Sequence, residues 1–484
     1  LQNLIAQGSL ILWPLVALVL YATLPAGRAT IWTLLAGYLL LPVGIDFDFP
    51  GVPALDKTSI PNAVALVLAP MMARGGEFRW PRSKVINALM LAWVLMPFAT
   101  AFTNREAIVI GSLVMPGLGF REGLSNSVGN LLTLAPFVLG AALLAHEKGH
   151  RQLLMAFVVA ALAYSVPILL EIRLSPFLQG MVYGISDVAM WLQQMRFGGF
   201  RSMMFLGHGL LVSTFLSLAL VAAVGLWRMR VTLFGIPMNM ITLYLAVVLV
   251  LNKSVGAVIL VALVAPLFMY LSARRFLSVA AALALIIIAY PAVRGANLLP
   301  LNQVVSAANA LSPERAESLD FRLRNEEMLL DRAEKKPLFG WGSYGRNRVI
   351  IVTSWGSTED ISVTDGTWVI IIGMAGWLGY VVYFGLLTIP FRRAFQLRRA
   401  GLPLATVTLV ALHLVNVIDL IPNSSLTPMT WLVAGALANM SVARRKNISP
   451  AEAQNSKGPV RPPNADAKPA LAGGAPFDAK AVRA

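Results

Sequence analysis

Apolar runs of about twenty residues recur from residue 7 to residue 442, and short clusters of Arg and Lys close many of them. A run of that length matches the hydrocarbon thickness of a bilayer. The composition agrees: 57% of the chain is hydrophobic and only 13% is charged, against about 25% charged in an ordinary soluble domain. Too few charges remain to cover a folded surface in water. A large soluble enzyme, a disordered chain and a collagen-like chain are therefore excluded. The fold class is an all-α polytopic membrane protein of about 12–13 transmembrane helices. The absence of cysteine excludes disulfides, thiolate metal sites and Cys nucleophiles.

The spans predicted are 7–25, 29–45, 60–74, 84–103, 126–145, 151–171, 203–226, 232–251, 254–273, 276–293, 366–389, 402–421 and 426–442. The second and third are short enough to be re-entrant or merged. The net charge of +16 would suggest nucleic acid in a soluble protein. Here its position matters more. Arg74, Arg79, Arg82 and Lys84, then Lys148 and Arg151, Arg228 and Arg230, Arg274 and Arg275, Arg392 and Arg393, and Arg444 and Arg445 all fall on one side. That side is cytoplasmic by the positive-inside rule. The C-terminus is then cytoplasmic, and thirteen spans put the N-terminus outside. No nucleic-acid partner is expected.

Residues 1–445 form the membrane domain, and two outward loops stand apart within it. The first, 172–202, carries Arg173, Asp187, Arg196 and Arg201. The second, 294–365, is far longer than an ordinary connection and needs structure of its own. Ser312-Pro313-Glu314 reads as a helix start, with Asp320 able to cap a second helix running to Lys336 before Pro337. Gly340–Gly345 reads as a turn, without the Lys-Ser/Thr ending of a nucleotide phosphate loop. Residues 447–484, rich in Pro, Ala, Asn and Lys, read as a disordered cytoplasmic tail.

Few ionisable residues fall in the spans. His413 and Asp419 lie in the twelfth and His208 just inside the seventh, too few for a proton-driven path. A hydrogen-bonded packing role is the simpler reading of His413. Arginine outside is unexpected for topology and needs another reason. Arg196 and Arg201 flank Gly198-Gly199, and Arg322 and Arg324 sit on the loop helix. Guanidinium forks bind phosphate and pyrophosphate bidentately. Ion pairing with Asp320, Glu326, Glu327 and Asp331 is the alternative, Arg322 and Glu326 being spaced i, i+4.

Three patterns at these residues resemble the bacterial O-antigen polymerase (Wzy-type) and O-antigen ligase superfamily. Arg196-Phe197-Gly198-Gly199-Phe200, with ten residues between Arg196 and Gly207, resembles the polymerases' first periplasmic loop. Arg322-Leu323-Arg324 through Pro337-Leu338-Phe339-Gly340-Trp341-Gly342 resembles their second. Asp365-Gly366, nine residues, then Gly376-Trp377-Leu378-Gly379 matches the spacing of the ligases' His-Asn pattern. Asp365 stands where a ligase has His, which favours a polymerase over a ligase.

The resemblance implies a GT-C-like glycosyltransferase of the bacterial inner membrane that makes O-antigen or exopolysaccharide at the periplasmic face. Its donor would be a glycan on undecaprenyl pyrophosphate. Arg196, Arg322, Arg324 and Arg201 would bind the leaving pyrophosphate and Asp365 would act as general base. No cofactor and no metal are implied. Membrane lipid and the lipid-linked glycan are the partners, and a chain-length regulator is a possible protein partner. An N-cap role remains open for Asp365, and close helix packing for Gly373, Gly376 and Gly379. Trp341, Tyr344 and Trp355 are candidates for stacking on sugar rings, while Trp368 reads as an interfacial anchor. A ligase and a lipid-linked glycan flippase are the competing functions.

Overall fold

The computed structural model describes residues 4–49, 51–185, 191–196, 198–296, 298–311 and 313–440. The predicted spans each correspond to a helix: α1 (Leu4–Thr23), α2 (Ala26–Leu40), α3 (Ser59–Met72), α4 (Lys84–Thr103), α5 (Phe120–Leu143) and α6 (Glu147–Leu174) come first. After the short α7 (Leu178–Tyr183) follow α8 (Gly209–Arg228), α9 (Met238–Leu251), α10 (Val255–Tyr270) and α11 (Ala273–Gly295). The long loop contributes α12 (Leu301–Leu311) and α13 (Pro313–Glu334), and the bundle closes with α14 (Thr367–Leu397), α15 (Leu404–Asp419) and α16 (Pro428–Ala438). Seven of these, α1, α4, α5, α6, α8, α11 and α14, are long and apolar enough to cross a membrane. The second and third spans are separate helices and are not merged.

Helix starts follow local chemistry. Ser83 accepts from the Ile86 amide, Ser272 from that of Arg275, and Thr427 from that of Thr430. The inner layer is α8, α15 and α16. In α8 every residue from Val212 to Leu226 is buried, and α16 is buried from Pro428 to Ala438. Small residues let these helices approach closely. A Cβ on Gly435 would lie 1.9 Å from the Phe137 carbonyl, and one on Gly225 would lie 2.0 Å from Thr408 Cγ2. α1, α9 and α10 instead carry exposed Leu, Val and Ile, as a lipid-facing layer requires.

Among the described residues, four two-stranded hairpins lie between helices. β1 (Ile108–Ile110) pairs with β2 (Leu113–Met115), β3 (Met195–Arg196) with β4 (Gly199–Phe200), β5 (Thr232–Leu233) with β6 (Ile236–Pro237), and β7 (Ile350–Val352) with β8 (Thr358–Asp360).

Three local expectations are corrected. α13 is one continuous helix from Pro313, so Asp320 lies inside it and caps nothing; Asp320 pairs with Arg324 instead. His208 is the N-cap of α8, outside the helix, its Nδ1 accepting from the Leu210 amide. Trp368 is fully buried, edge-on to Tyr290 at 5.3 Å, and is no interfacial anchor. The cap at Ser312, Asp187 and the tail 447–484 lie outside the described residues.

The loop 294–365 is fastened to the bundle by backbone pairing. α14 is broken at Gly376, where φ is 70° and ψ −175°. The break frees the carbonyls of Gly373 and Met374 and the amides of Trp377 and Leu378. Residues 337–342 take all four. Trp341 and Gly342 donate to Gly373 and Met374 at 2.8 and 2.9 Å, and Trp377 and Leu378 donate to Pro337 and Leu338 at 2.8 and 3.4 Å. The Pro-Leu-x-Gly-x-Gly stretch and the Gly-x-x-Gly stretch are thus two halves of one joint. Gly376 serves contact with this loop rather than helix packing: a Cβ there would lie 2.2 Å from the Leu338 carbonyl.

Candidate functional site

The Arg196 loop comes first in the chain. Arg196 pairs with Gly199 across a hairpin that turns at Gly198, where φ is +66°. Arg201 follows and is buried at 7% exposure. Its Nε donates to Gln194 Oε1 at 3.0 Å, and the same oxygen accepts the Gly209 amide. The fork is thereby aimed by neutral groups. Among the described residues no carboxylate forms an ion pair with Arg196 or Arg201.

What holds this loop is a residue the sequence reading passed over. Glu171, buried near the end of α6, accepts from Ser202 Oγ at 2.8 Å and from the amides of Met203 and Met204 at 3.0 and 2.8 Å. Its second oxygen accepts the Leu178 amide. Asn252 accepts the Ser202 amide and donates to Ser213. Lys57, almost completely buried, donates to the Phe205 carbonyl at 2.5 Å; burial pulls its ammonium down to about 7 despite Asp56. Lys253, between α9 and α10, lies against Gly199: a Cβ there would meet its Nζ at 2.1 Å. Glu171 was detectable as a carboxylate within a predicted span, and Lys253 as a cation against the topology rule.

The second loop brings Arg322. Its Nε lies 3.5 Å from Asp365 Oδ2, with both side chains half-exposed. Asp365 directly precedes α14, whose N-cap is Gly366, so Asp365 is free of the capping role. The ground beneath it is rigid. Thr367 donates its amide to Leu420 and its hydroxyl to Asn423, and a Cβ on Gly366 would lie 2.6 Å from the Ile421 carbonyl. That 420–425 turn is organised by Asp419, which accepts from Thr214, Asn423 and Ser425.

Glu326 does not pair with Arg322. It accepts the Tyr290 hydroxyl at 3.1 Å and lies 3.8 Å from the buried Arg294, which also donates to the Leu323 carbonyl. Burial raises the Glu326 carboxyl, outweighing the Tyr290 bond and the pulls of Arg294 and Arg322. Arg294 and Glu326 thus dock α13 and leave Arg322 to Asp365.

The two loops share one field. Burial lowers the Arg201 guanidinium to about 10, and the charges of Arg196 and Arg322 push in the same direction. His208 is held down to about 4, chiefly by burial and then by Arg201 and Arg196. Arg201 therefore lies within charge reach of Arg196 and His208 on its own side and of Arg322 from the second loop. Arg324 is not brought in. Two positions on a helix lie about 200° apart in azimuth, and Arg324 faces away, 2.6 Å from Asp320 and well exposed. It lines a separate depression of about 450 Å3 with Glu327, Asp331 and Arg348. Trp341 is occupied by structure, with the Arg332 guanidinium 3.7 Å over its ring and its Nε1 on the Arg332 carbonyl.

The neutral His208 ring accepts at Nδ1 and so carries its proton on Nε2. The folded state resists charging His208, whereas an unfolded chain takes the proton below about 6.5. Its stabilising contribution is complete above pH 6.5 and is lost as the pH falls towards 4. His208→Asn keeps a cap acceptor and is expected to flatten this acid limb in thermal unfolding followed across that range. An acid limb identical to that of the parent protein would count against the assignment.

A helical bundle with span-length apolar helices and a cationic site at one end defines a multi-pass membrane protein. Residues 240–384 match the family model described as O-antigen ligase (Wzy_C). The match is consistent with the O-antigen ligase and polymerase superfamily, whose members are enzymes of the glycosyl-transfer type, and it agrees with the motifs read from the sequence. It covers Lys253, Arg322 and Asp365 and leaves Arg196, Arg201 and His208 outside. No curated protein and no solved structure matches the chain.

Proposed function

We propose that this protein is a glycosyltransferase that polymerises surface polysaccharide from glycan repeats carried on undecaprenyl pyrophosphate. It works at the periplasmic face of the bacterial inner membrane, with its C-terminus in the cytoplasm. The observation that carries the reading is that Arg201 lies in the field of Arg196 and of Arg322, which reaches it from the second loop paired with the carboxylate Asp365.

In this reaction an acceptor sugar hydroxyl attacks the anomeric carbon of the donor. The bond from that carbon to the pyrophosphate oxygen breaks, and the lipid pyrophosphate leaves with the electron pair. Charge grows on the leaving oxygens, where preorganised guanidinium donors act most strongly. Asp365 takes the proton of the attacking hydroxyl. Arg322, bonded to Asp365, links the base to the leaving-group site. The donor is already activated, so no nucleotide or metal enters the scheme. Arg324 would contact substrate only away from this cluster.

The description of the matched family favours a ligase as the second reading. Asp365-Gly366 in place of His-Asn favours the polymerase. A flippase is less well supported, because Glu171 and Asp419 are both fully hydrogen-bonded at one end of the bundle and form no path across it.

The test is purified protein with undecaprenyl-pyrophosphate oligosaccharide. A ladder of lengthened products is expected. A single transfer to another lipid would favour the ligase, and reorientation without transfer the flippase. Asp365→Asn is expected to lower turnover by about 10²–10⁴-fold with the protein still in the membrane; normal turnover would remove Asp365 as the base.

A further inference from the structure

The opposite end of the bundle carries a second cationic feature that the transfer reaction does not use. Lys148 and Glu171 stand at opposite ends of α6, about 35 Å apart at 1.5 Å per residue. Glu171 holds the Arg201 loop, so Lys148 lies far from that site. Beside Lys148, α2 and α6 enclose a groove of about 390 Å3. Its mouth is lined by Arg28, Lys148 and Arg151, and no acidic residue is among the described residues that line it. None of the three pairs with a described carboxylate.

The groove is amphipathic along its length. One turn from Arg28 on α2 come Ile31 and Trp32, and below Arg151 on α6 come Met155, Ala156 and Val159. Val159 is about 12 Å from Arg151 along the helix axis, towards the middle of the bundle. A neighbouring lobe of about 600 Å3 shares Arg28, Lys148 and Gln152 and adds Arg79 and Arg82, with Glu77 as its carboxylate.

Topology explains why Arg and Lys collect at this end. It does not explain why three of them share one groove without a carboxylate, above an apolar slot that runs into the membrane. An anionic headgroup relieves their repulsion, and a hydrocarbon chain fills the slot. We propose that this groove seats an anionic diacylphospholipid. Its phosphate rests on Arg28, Lys148 and Arg151, and one acyl chain lies along Trp32, Met155 and Val159. This site is independent of the glycosyl-transfer reading.

The test is native mass spectrometry of the full chain released from bilayers of phosphatidylglycerol and phosphatidylcholine in equal parts. Retention of phosphatidylglycerol over phosphatidylcholine is expected. Each cation near a membrane surface is worth roughly fivefold in affinity, so R28Q/K148Q/R151Q is expected to lose on the order of a hundredfold. R28K/R151K keeps the charge and is expected to retain the lipid. Val159→Trp keeps the cations but fills the slot and is expected to lose it. Wild-type retention by the Gln variant or by Val159→Trp would overturn the proposal, as would loss in R28K/R151K. Displacement of the phospholipid by millimolar inorganic phosphate would identify free phosphate as the ligand and overturn the lipid.

Discussion

Arg322→Ala is expected to reduce glycan transfer by about 10²–10³-fold while leaving the thermal stability of the protein nearly unchanged. The two halves of this expectation have separate causes. A guanidinium aimed at a leaving group acts where charge develops, and removing one such donor typically costs about 2.7–4 kcal/mol in the transition state. In the resting protein Arg322 has only a half-exposed ion pair with Asp365 at 3.5 Å. Such a pair contributes about 0–1 kcal/mol to folding. Arg322→Lys is expected to recover only part of the activity, because one ammonium cannot reproduce the bidentate fork. Arg324→Ala separates the cluster from its neighbour: with Arg324 turned to Asp320, the loss is expected to be far smaller than for Arg322→Ala. Product analysis and differential scanning fluorimetry on the same preparations check both points. Equal losses for the two alanine variants would show that the pyrophosphate site is not where Arg201 and Arg322 meet.

The second large effect concerns Gly376. Its φ of 70° with ψ of −175° is a region open to glycine almost alone, and a side chain there costs about 1–3 kcal/mol in backbone strain. A Cβ would also sit 2.2 Å from the Leu338 carbonyl, backbone that cannot yield cheaply. Gly376→Ala is therefore expected to destabilise the protein by about 3 kcal/mol or more and to release the 337–342 strip from its four bonds. Gly373→Ala is the graded comparison. There the nearest atom is Asn347 Cβ at 3.2 Å, a contact that a few tenths of an ångström relieve, and about 1 kcal/mol is expected. Thermal unfolding and limited proteolysis within residues 335–350 read out both variants. A Gly376→Ala protein with the parent's stability and cleavage pattern would refute the joint.

The architecture was largely legible because span length and charge clusters are local properties. Every predicted span has its helix, and of the four outward arginines singled out for substrate, Arg201 lies in the field of Arg196 and Arg322 while Arg324 turns to Asp320. The exception was itself readable: Asp320 and Arg324 are i, i+4, the spacing of a helical ion pair. The same spacing misleads at Arg322 and Glu326, because Tyr290 and Arg294 of another helix compete for the carboxylate.

What stayed hidden depends on chain return. Glu171 stands in a predicted span as a plain carboxylate. Its purpose appears only when the chain comes back at Ser202, Met203 and Met204 to donate to it. Lys253 sits in a turn of a few residues between two apolar helices, and only the fold sets it against Gly199. The two glycine motifs could be listed in order, but nothing in their spacing says that one unwinds a helix for the other to complete.

Arg196, Arg201 and Arg322 are proposed to recognise a lipid pyrophosphate together. The direct measurement is the affinity of the purified protein for undecaprenyl pyrophosphate and for undecaprenyl phosphate, in the wild type and in Arg322→Ala. The wild type is expected to prefer the pyrophosphate by roughly tenfold or more, as an added fork on the second phosphate should give, and the preference is expected to collapse in the variant. Equal affinity of the wild type for the two lipids, or a preference that survives in Arg322→Ala, would contradict the account.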